Sequence, residues 1–600
     1  MKNILYKSAF ILTVSLFSLT VTAQKDSTLT RQVLLERDYN PTLQEASRIN
    51  NTAAIYTPVI KSKELRYLSS VPQISVSNNR LGAAAPGEMG TNVDYSKKRG
   101  YLNLGAGNNS NLDGAAGYRI VNSDRDRLDL FGSHLSTSSS IDYIQKGYMY
   151  KDAKAKYSAS KINLEYEHIF DPSILWIDAS FYNTSFNYYG NPFMPQSSDP
   201  YPFDMNSRQN VDVFSVGAGI KSRDENGGLL KYVGSVSYQN FKTKYGTQVD
   251  DKGPKGGQLD VNANFYTDFG SDKTIGVKGW LMNQSFSGNA GYFPDSYHSL
   301  TSVTATPYIK FQGGNWDADL GVNVSAMMDV KNKFLFSPNV KAAIHFNERN
   351  TVYGEVTGGV NNNTYLDILQ ENRYINLWSR VEYSKTLYDA KVGFKSGALD
   401  GFEFDLFAGY KKTDKDHLFL YTHSGFDMTG VIKSWANVST PIYANVGTGQ
   451  VGGLIKTNLI PYTDLSAKLV AYFYNVKYTG SYSGVHPSFL DKNLEKKTWG
   501  RPTFTFELNA DVKPIDKLLL SLNYMYAGGR KTFFVGNFAT VSEVLKMKDI
   551  NELNFKGEYQ LTDWLSVNAR LNNILFQKYE LQYGYPLQGF NVLGGLNFKF

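Results

Sequence analysis

The sequence predicts an all-β chain closed into a membrane-spanning barrel of about 22 antiparallel strands. Three observations carry this. Hydrophobicity alternates with a period of two over residues 101–600. Short polar turns recur between strand candidates, with much longer links falling between them. Aromatic residues reach 14% while Pro is scarce at 19 residues. An apolar fraction of 42% with a mean hydropathy of −0.35 fits neither a helical membrane protein nor a disordered chain.

The alternation is read residue by residue. Phe504, Phe506, Leu508, Ala510 and Val512 alternate with Thr505, Glu507, Asn509 and Asp511. Leu565, Val567, Ala569 and Leu571 alternate with Ser566, Asn568, Arg570 and Asn572, and 402–410 and 259–265 repeat the pattern. Such strands set one face in an apolar medium and the other in a polar one. A soluble sandwich shares that property, and the turns separate the two cases. Short turns fall at 122–126, 171–173, 221–228, 270–273, 312–315, 347–350, 396–401, 456–463, 513–517 and 561–563; long links fall at 183–209, 361–379, 412–441 and 478–501. Loop length segregated by end is the layout of a barrel with short periplasmic turns and long outer loops. Ten short turns imply 22 strands when the barrel begins and ends on the short-turn side. No blade-like repeat of ~40–50 residues is present, which argues against a propeller.

Alternation also assigns the faces. Glu403, Asp405, Glu507, Asp511, Asp260, Asp317, Asp319, Lys556, Arg570 and Lys599 are expected to point inward, because a charge on the lipid face costs ~2–4 kcal/mol at mid-bilayer. Trp176, Trp316 and Trp564 lie close to short turns and are expected in an interfacial aromatic girdle.

The start of the chain reads as an export address. Lys2 and Lys7 precede an apolar run over residues 9–21 that ends at Val21-Thr22-Ala23, so residues 1–23 are expected to be a secretory signal. Residues 24–100 form a mostly irregular arm, periplasmic or lumenal, able to fill the lumen or to dock a partner. A short helix starts at the Asn40 cap and Pro41, and Val71, Ile74 and Val76 suit a strand. The barrel occupies 101–600.

The tail carries a family resemblance. Asn573-Ile574-Leu575, Tyr579, Gly584, Tyr585-Pro586 and Gly589 precede a last strand that ends at Phe600. This resembles the C-terminal end of the TonB-dependent receptor barrels, and the match covers about the last 50 residues. The resemblance implies that Leu596, Phe598 and Phe600, on one face, form the signal read by the barrel-assembly machinery. It implies an outer-membrane location in a Gram-negative bacterium. It also brings outer-membrane lipids as surroundings, with a surface lipoprotein or a TonB-type energiser as further partners. The family's folded plug has no counterpart of matching length here, and 24–100 shows no recognisable TonB box, so the chain reads as plug-less.

No catalytic set emerges, and the chain is read as a non-enzyme without cofactor or metal. The absence of Cys removes disulfides, thiolate metal sites, Cys nucleophiles and Cys-anchored lipidation. A net charge of +7 over 600 residues is no footprint for nucleic acid. His417 and His423 share one expected outer loop, but their spacing matches no common metal site. Asp250 and Asp251 read as a solvated turn. The Pro-rich loop 188–206 carries Tyr188, Tyr189, Phe193, Tyr201 and Phe203, which are candidate outer-loop contacts for a sugar or a protein, with inward self-packing as the alternative. The functional expectation is passage of a solute across the outer membrane. The alternative is a non-transporting scaffold or assembly barrel that anchors partner proteins there.

Overall fold

The computed structural model of the chain describes residues 98–144, 151–190, 208–223, 229–244, 253–287, 297–328, 333–347, 349–377, 379–423, 437–478, 498–535 and 542–600. The expected signal segment, nearly all of the 24–100 arm, Asp250, Asp251, Phe193, Tyr201 and Phe203 lie outside the described residues.

The first strands are β1 (Gly100–Gly107), β2 (Leu112–Asn122), β3 (Asp126–Asp142), β4 (Asp152–Ile169), β5 (Ser173–Asn187), β6 (Arg208–Ser222), β7 (Lys231–Thr243), β8 (Lys255–Asp268) and β9 (Lys273–Phe286). Next come β10 (Leu300–Gln312), β11 (Trp316–Met327), β12 (Phe334–Asn347), β13 (Asn350–Asn361), the helix α1 (Tyr365–Glu371), β14 (Ser384–Leu399), β15 (Phe402–His423), β16 (Asn437–Thr457) and β17 (Thr463–Tyr478). The chain continues through β18 (Phe504–Ile515), β19 (Leu518–Gly528), β20 (Lys531–Val535), β21 (Ser542–Lys546), β22 (Ile550–Thr562), β23 (Leu565–Asn572), β24 (Glu580–Gln582), β25 (Tyr585–Pro586) and β26 (Asn591–Lys599).

Twenty-two of these strands close into one antiparallel barrel. Strands β1 to β19 pair in chain order, β19 pairs β22, β22 pairs β23, β23 pairs β26, and β26 returns to β1. At the seam the Gly100 amide donates to the Phe600 carbonyl at 2.7 Å, and the Phe600 amide donates to the Gly100 carbonyl at 2.9 Å. Closure leaves the barrel no unpaired edge. Both barrel termini therefore stand at one end, the end of the short connections. Each of the ten short connections falls at a predicted turn. One of the two-residue connections joins β14 to β15 through Asp400 and Gly401, where Gly401 has φ 82° and an added Cβ would meet the Asn458 side chain.

The opposite end is less uniform than expected. The connection 108–111 is itself a short turn, whereas 362–383 and 573–590 are long. The stretch 412–441 was expected as a loop, and the structure corrects this. Its flanks are strand, with β15 and β16 paired from Asp416↔Ala444 to His423↔Asn437 beyond a register shift at Thr413/Asp416. Lys415 has φ 54° at that bulge. The extension survives because Leu418, Leu420 and Ile442 pack with Val476, Trp499 and Phe533, a cluster assembled from separate parts of the chain.

Outward side chains such as Leu104, Leu130, Phe214, Leu406 and Phe473 stand exposed as an apolar face. Ion pairs occupy the inward face, among them Arg119–Asp129 at 2.8 Å, Lys310–Asp319 at 3.0 Å and Lys556–Glu558 at 2.9 Å. Trp316 and Trp564 are exposed on the outward face. Trp176 is not. It shares the inward face of β5 with Asp178, opposite outward Ile177, and its ring covers the place of Gly219 on β6. Nearness to a turn does not reveal which face a residue takes, and here the strand's parity decides it.

Candidate functional site at the long-link end of the lumen

The largest buried cluster gathers inside this end rather than along the barrel wall. It runs from Ile141, Tyr157, Phe186 and Phe241 through α1 to Tyr374 and Tyr585. The link 362–383 enters the mouth and forms α1. Thr364 caps the helix in a capping box: its side chain accepts from the Asp367 amide, and the Asp367 carboxylate accepts from the Thr364 amide, each at 3.2 Å. The helix is only seven residues long, so packing rather than propensity holds it. Tyr365 stacks on Phe241 of β7 at 5.6 Å and meets Phe286 of β9 edge-on at 5.7 Å, while its amide donates to Gln284 Oε1 at 2.6 Å. Tyr365, Leu366, Ile368 and Leu369 are all buried.

Beyond the helix the same link builds an aromatic knot. The Arg373 guanidinium lies over the Tyr157 ring at 4.3 Å. Tyr374 stacks face to face on Tyr585, with Phe186 and Tyr189 edge-on to it at 5.8 and 5.9 Å. Tyr189 donates its hydroxyl to the Pro586 carbonyl at 2.9 Å. Burial pushes the phenols of Tyr189, Tyr374 and Tyr585 up from their ordinary value, so all three are neutral at physiological pH.

The link 573–590 forms the other half of the knot. Asn573, with φ 52°, donates its amide side chain to the Gln577 carbonyl at 2.8 Å and accepts from the Gln577 amide at 3.0 Å. Tyr579 bonds the Glu552 carboxylate. The buried Arg530 guanidinium donates to the carbonyls of Glu580 and Leu581, each at 2.7 Å. The Gly584 amide donates to Glu580 Oε2 at 2.9 Å. The tail residues that carry the family resemblance thus fold this link back over the lumen.

Two cavities adjoin in the lumen, the smaller of them beneath α1. The larger, about 600 Å³, is walled by β7 to β11 and β13 to β15, with Asn262, Asn264, Thr304, Thr306 and Asn323 among its residues. The smaller, about 360 Å³, lies between α1 and Gln258, Asp260 and Met282. Trp280, Val360 and Asn361 belong to both. His417 on the β15 extension closes one side and contacts Glu371 of α1 at 2.6 Å through Nε2. Beside it Arg501 donates to Asp416 at 2.7 Å.

Tyr188 and Tyr189 are buried in the knot, on the inward side. Leu596 and Phe600 are exposed on the outward face of the last strand, where Phe598 stacks with Trp564 at 6.2 Å and Phe600 with Tyr118 at 6.1 Å. Among the described residues no group of three or more His, Cys, Asp or Glu is gathered to hold a metal. Sequence reading missed α1 and the two cavities. The one available signal was Thr364-x-x-Asp367, a capping-box spacing inside a long link.

No family model matches the sequence, and no curated protein does. Solved structures do match. The ferric enterobactin receptor PfeA of Pseudomonas aeruginosa aligns at 11% identity over 84% of this chain and 80% of its own, with a TM-score of 0.60. P. aeruginosa FpvA, solved with heterologous pyoverdines, aligns at 13% identity over 84% and 72%, with a TM-score of 0.56. The ferric-catecholate import receptor Fiu of Escherichia coli K12 aligns at 10% identity over 84% and 82%, with a TM-score of 0.57. The chain shares with these receptors a closed antiparallel barrel of 22 strands. At these identities the likeness is one of architecture. The shared barrel supplies the frame, while the knot and the cavities described above are built from this chain's own side chains.

Proposed function

We propose that this chain is an outer-membrane barrel of a Gram-negative bacterium that passes a solute across that membrane. The observation that carries the reading is the closed barrel itself, apolar outside and ionic inside, whose long-link end is folded over a polar chamber. An apolar outer face suits lipid, and a wide polar lumen suits an aqueous route that has to be blocked at rest. In this reading the links 362–383 and 573–590 cap the outer end, and the 24–100 arm fills the lumen from the periplasmic side. A TonB-type energiser moves the arm, a surface lipoprotein delivers solute, and Leu596, Phe598 and Phe600 direct insertion by the assembly machinery. The likeness to a ferric enterobactin receptor and to a ferric-catecholate import receptor supports passage as the general task.

Planar-bilayer recording tests this. Deleting residues 30–95 is expected to raise single-channel conductance and to sensitise cells to large antibiotics. Unchanged conductance, with loss of co-purifying proteins from the deleted variant, would replace passage by a scaffold role.

A further inference from the structure

The smaller cavity beneath α1 has hydrogen-bonding capacity that the fold does not use. Three of its residues each make one bond and leave a second buried atom without a partner. Gln258 donates Nε2 to Asp260 at 2.8 Å and keeps Oε1. Asn362, only 6% exposed, accepts from Ser302 at 2.8 Å and keeps Nδ2. His417 spends Nε2 on Glu371 and keeps Nδ1. Leaving a buried donor or acceptor unpaired costs ~1–3 kcal/mol. Three such atoms around one cavity mark a place prepared for something else.

We infer that this cavity and its larger neighbour form a binding site for a neutral, polyhydroxylated solute of oligosaccharide type. This rests on the passage reading above and names its substrate class. The unused atoms are mixed in kind. His417 keeps a ring nitrogen that accepts or donates according to the ring's tautomer, Gln258 Oε1 accepts, and Asn362 Nδ2 donates. A hydroxyl group both donates and accepts, so it answers all three. A bare cation leaves the Asn362 donor unanswered. Asp260 holds Gln258 and Trp280, Asp367 holds the Thr364 cap, and Glu371 holds His417. An anion meets those same carboxylates and is repelled. Trp280 stands in the wall of both cavities, with its indole nitrogen 3.4 Å from Asp260, and offers a flat apolar surface to the C–H face of a sugar ring. The volumes of about 360 and about 600 Å³ lie within the range of small-ligand sites.

Isothermal titration of the full chain in detergent with maltotriose, cellotriose and xylotriose tests the assignment, with spermidine as the cationic comparison. At least one trisaccharide is expected to bind. Asn362→Leu or Gln258→Leu should each weaken it tenfold or more, and Trp280→Ala should abolish it, with heat-modifiable migration of the barrel retained. Absence of binding by all three sugars overturns the assignment. So does sugar binding that these variants leave unchanged, or spermidine binding that they remove. If sugars fail to bind while deletion of 30–95 still raises conductance, this site falls and passage stands. If the deletion leaves conductance unchanged and strips co-purifying proteins, the passage reading falls instead.

Discussion

Tyr374 and Tyr585 lie face to face with ring centroids 3.5 Å apart and planes 11° from parallel, joining the two long links over the lumen. Their fit depends on Gly190, where an added Cβ would meet the Tyr585 ring at 2.5 Å. The pair makes the cap at the long-link end one unit rather than two independent loops.

Tyr585→Ala is therefore expected to release 362–383 as well as 573–590. A buried aromatic truncated to Ala costs about 3–5 kcal/mol, here spread over the cap rather than the barrel wall. Hydrogen exchange should rise across 364–377 in the variant while the β-strand ladder keeps its protection. Protection lost only within 573–590 would show the links to be uncoupled.

The cap should also have an alkaline limit. The phenols of Tyr189, Tyr374 and Tyr585 are raised in the folded state by burial. A raised folded pKa contributes stability that is fully present below the unfolded value of about 10 and is lost as pH rises toward the folded value. Exchange protection of 364–377 should thus be flat from pH 7 to about 10 and fall above it. Tyrosinate absorbance for these rings should appear only together with that loss.

The seam carries its own lock. Arg570 on β23 reaches across β26 and β1 to Asp113 on β2 at 2.6 Å, and the crossing passes over Gly105, whose missing side chain leaves the guanidinium room. Each side chain keeps about a quarter of its exposure, 22% and 25%. Asp113→Asn is thus expected to cost about 1–3 kcal/mol, below the range for a fully buried pair. A double-mutant cycle with Arg570→Met, read by thermal loss of heat-modifiable migration, checks this; additive effects would deny the coupling.

Phe600 serves closure and, in the proposed reading, assembly. Its backbone bonds Gly100 and its ring stacks on Tyr118. Deleting Phe600 should leave export intact and lower the heat-modifiable barrel in the outer-membrane fraction, with unfolded chain accumulating in the periplasm. Wild-type barrel levels in the truncated variant would remove the signal role.

The sequence by itself determined the strands, their number and the end at which each short turn sits. These are local properties. A period of two and a polar break are written in consecutive residues, so the alternation at 504–512 and the turn at Asp400–Gly401 can be read without knowing what lies opposite. What tertiary structure alone decided is the interior of the long-link end. Residues 416–423 became strand because Trp499 and Phe533 came to cover Leu418 and Leu420. Tyr188 and Tyr189 were buried by Tyr374 and Tyr585, which come from two other links. Gln258, Asn362 and His417 are ordinary polar residues in the sequence and become a cavity wall only when β8, the α1 link and β15 meet. Long-range packing is a property of pairs far apart in the chain, and barrel closure is what brings those pairs together.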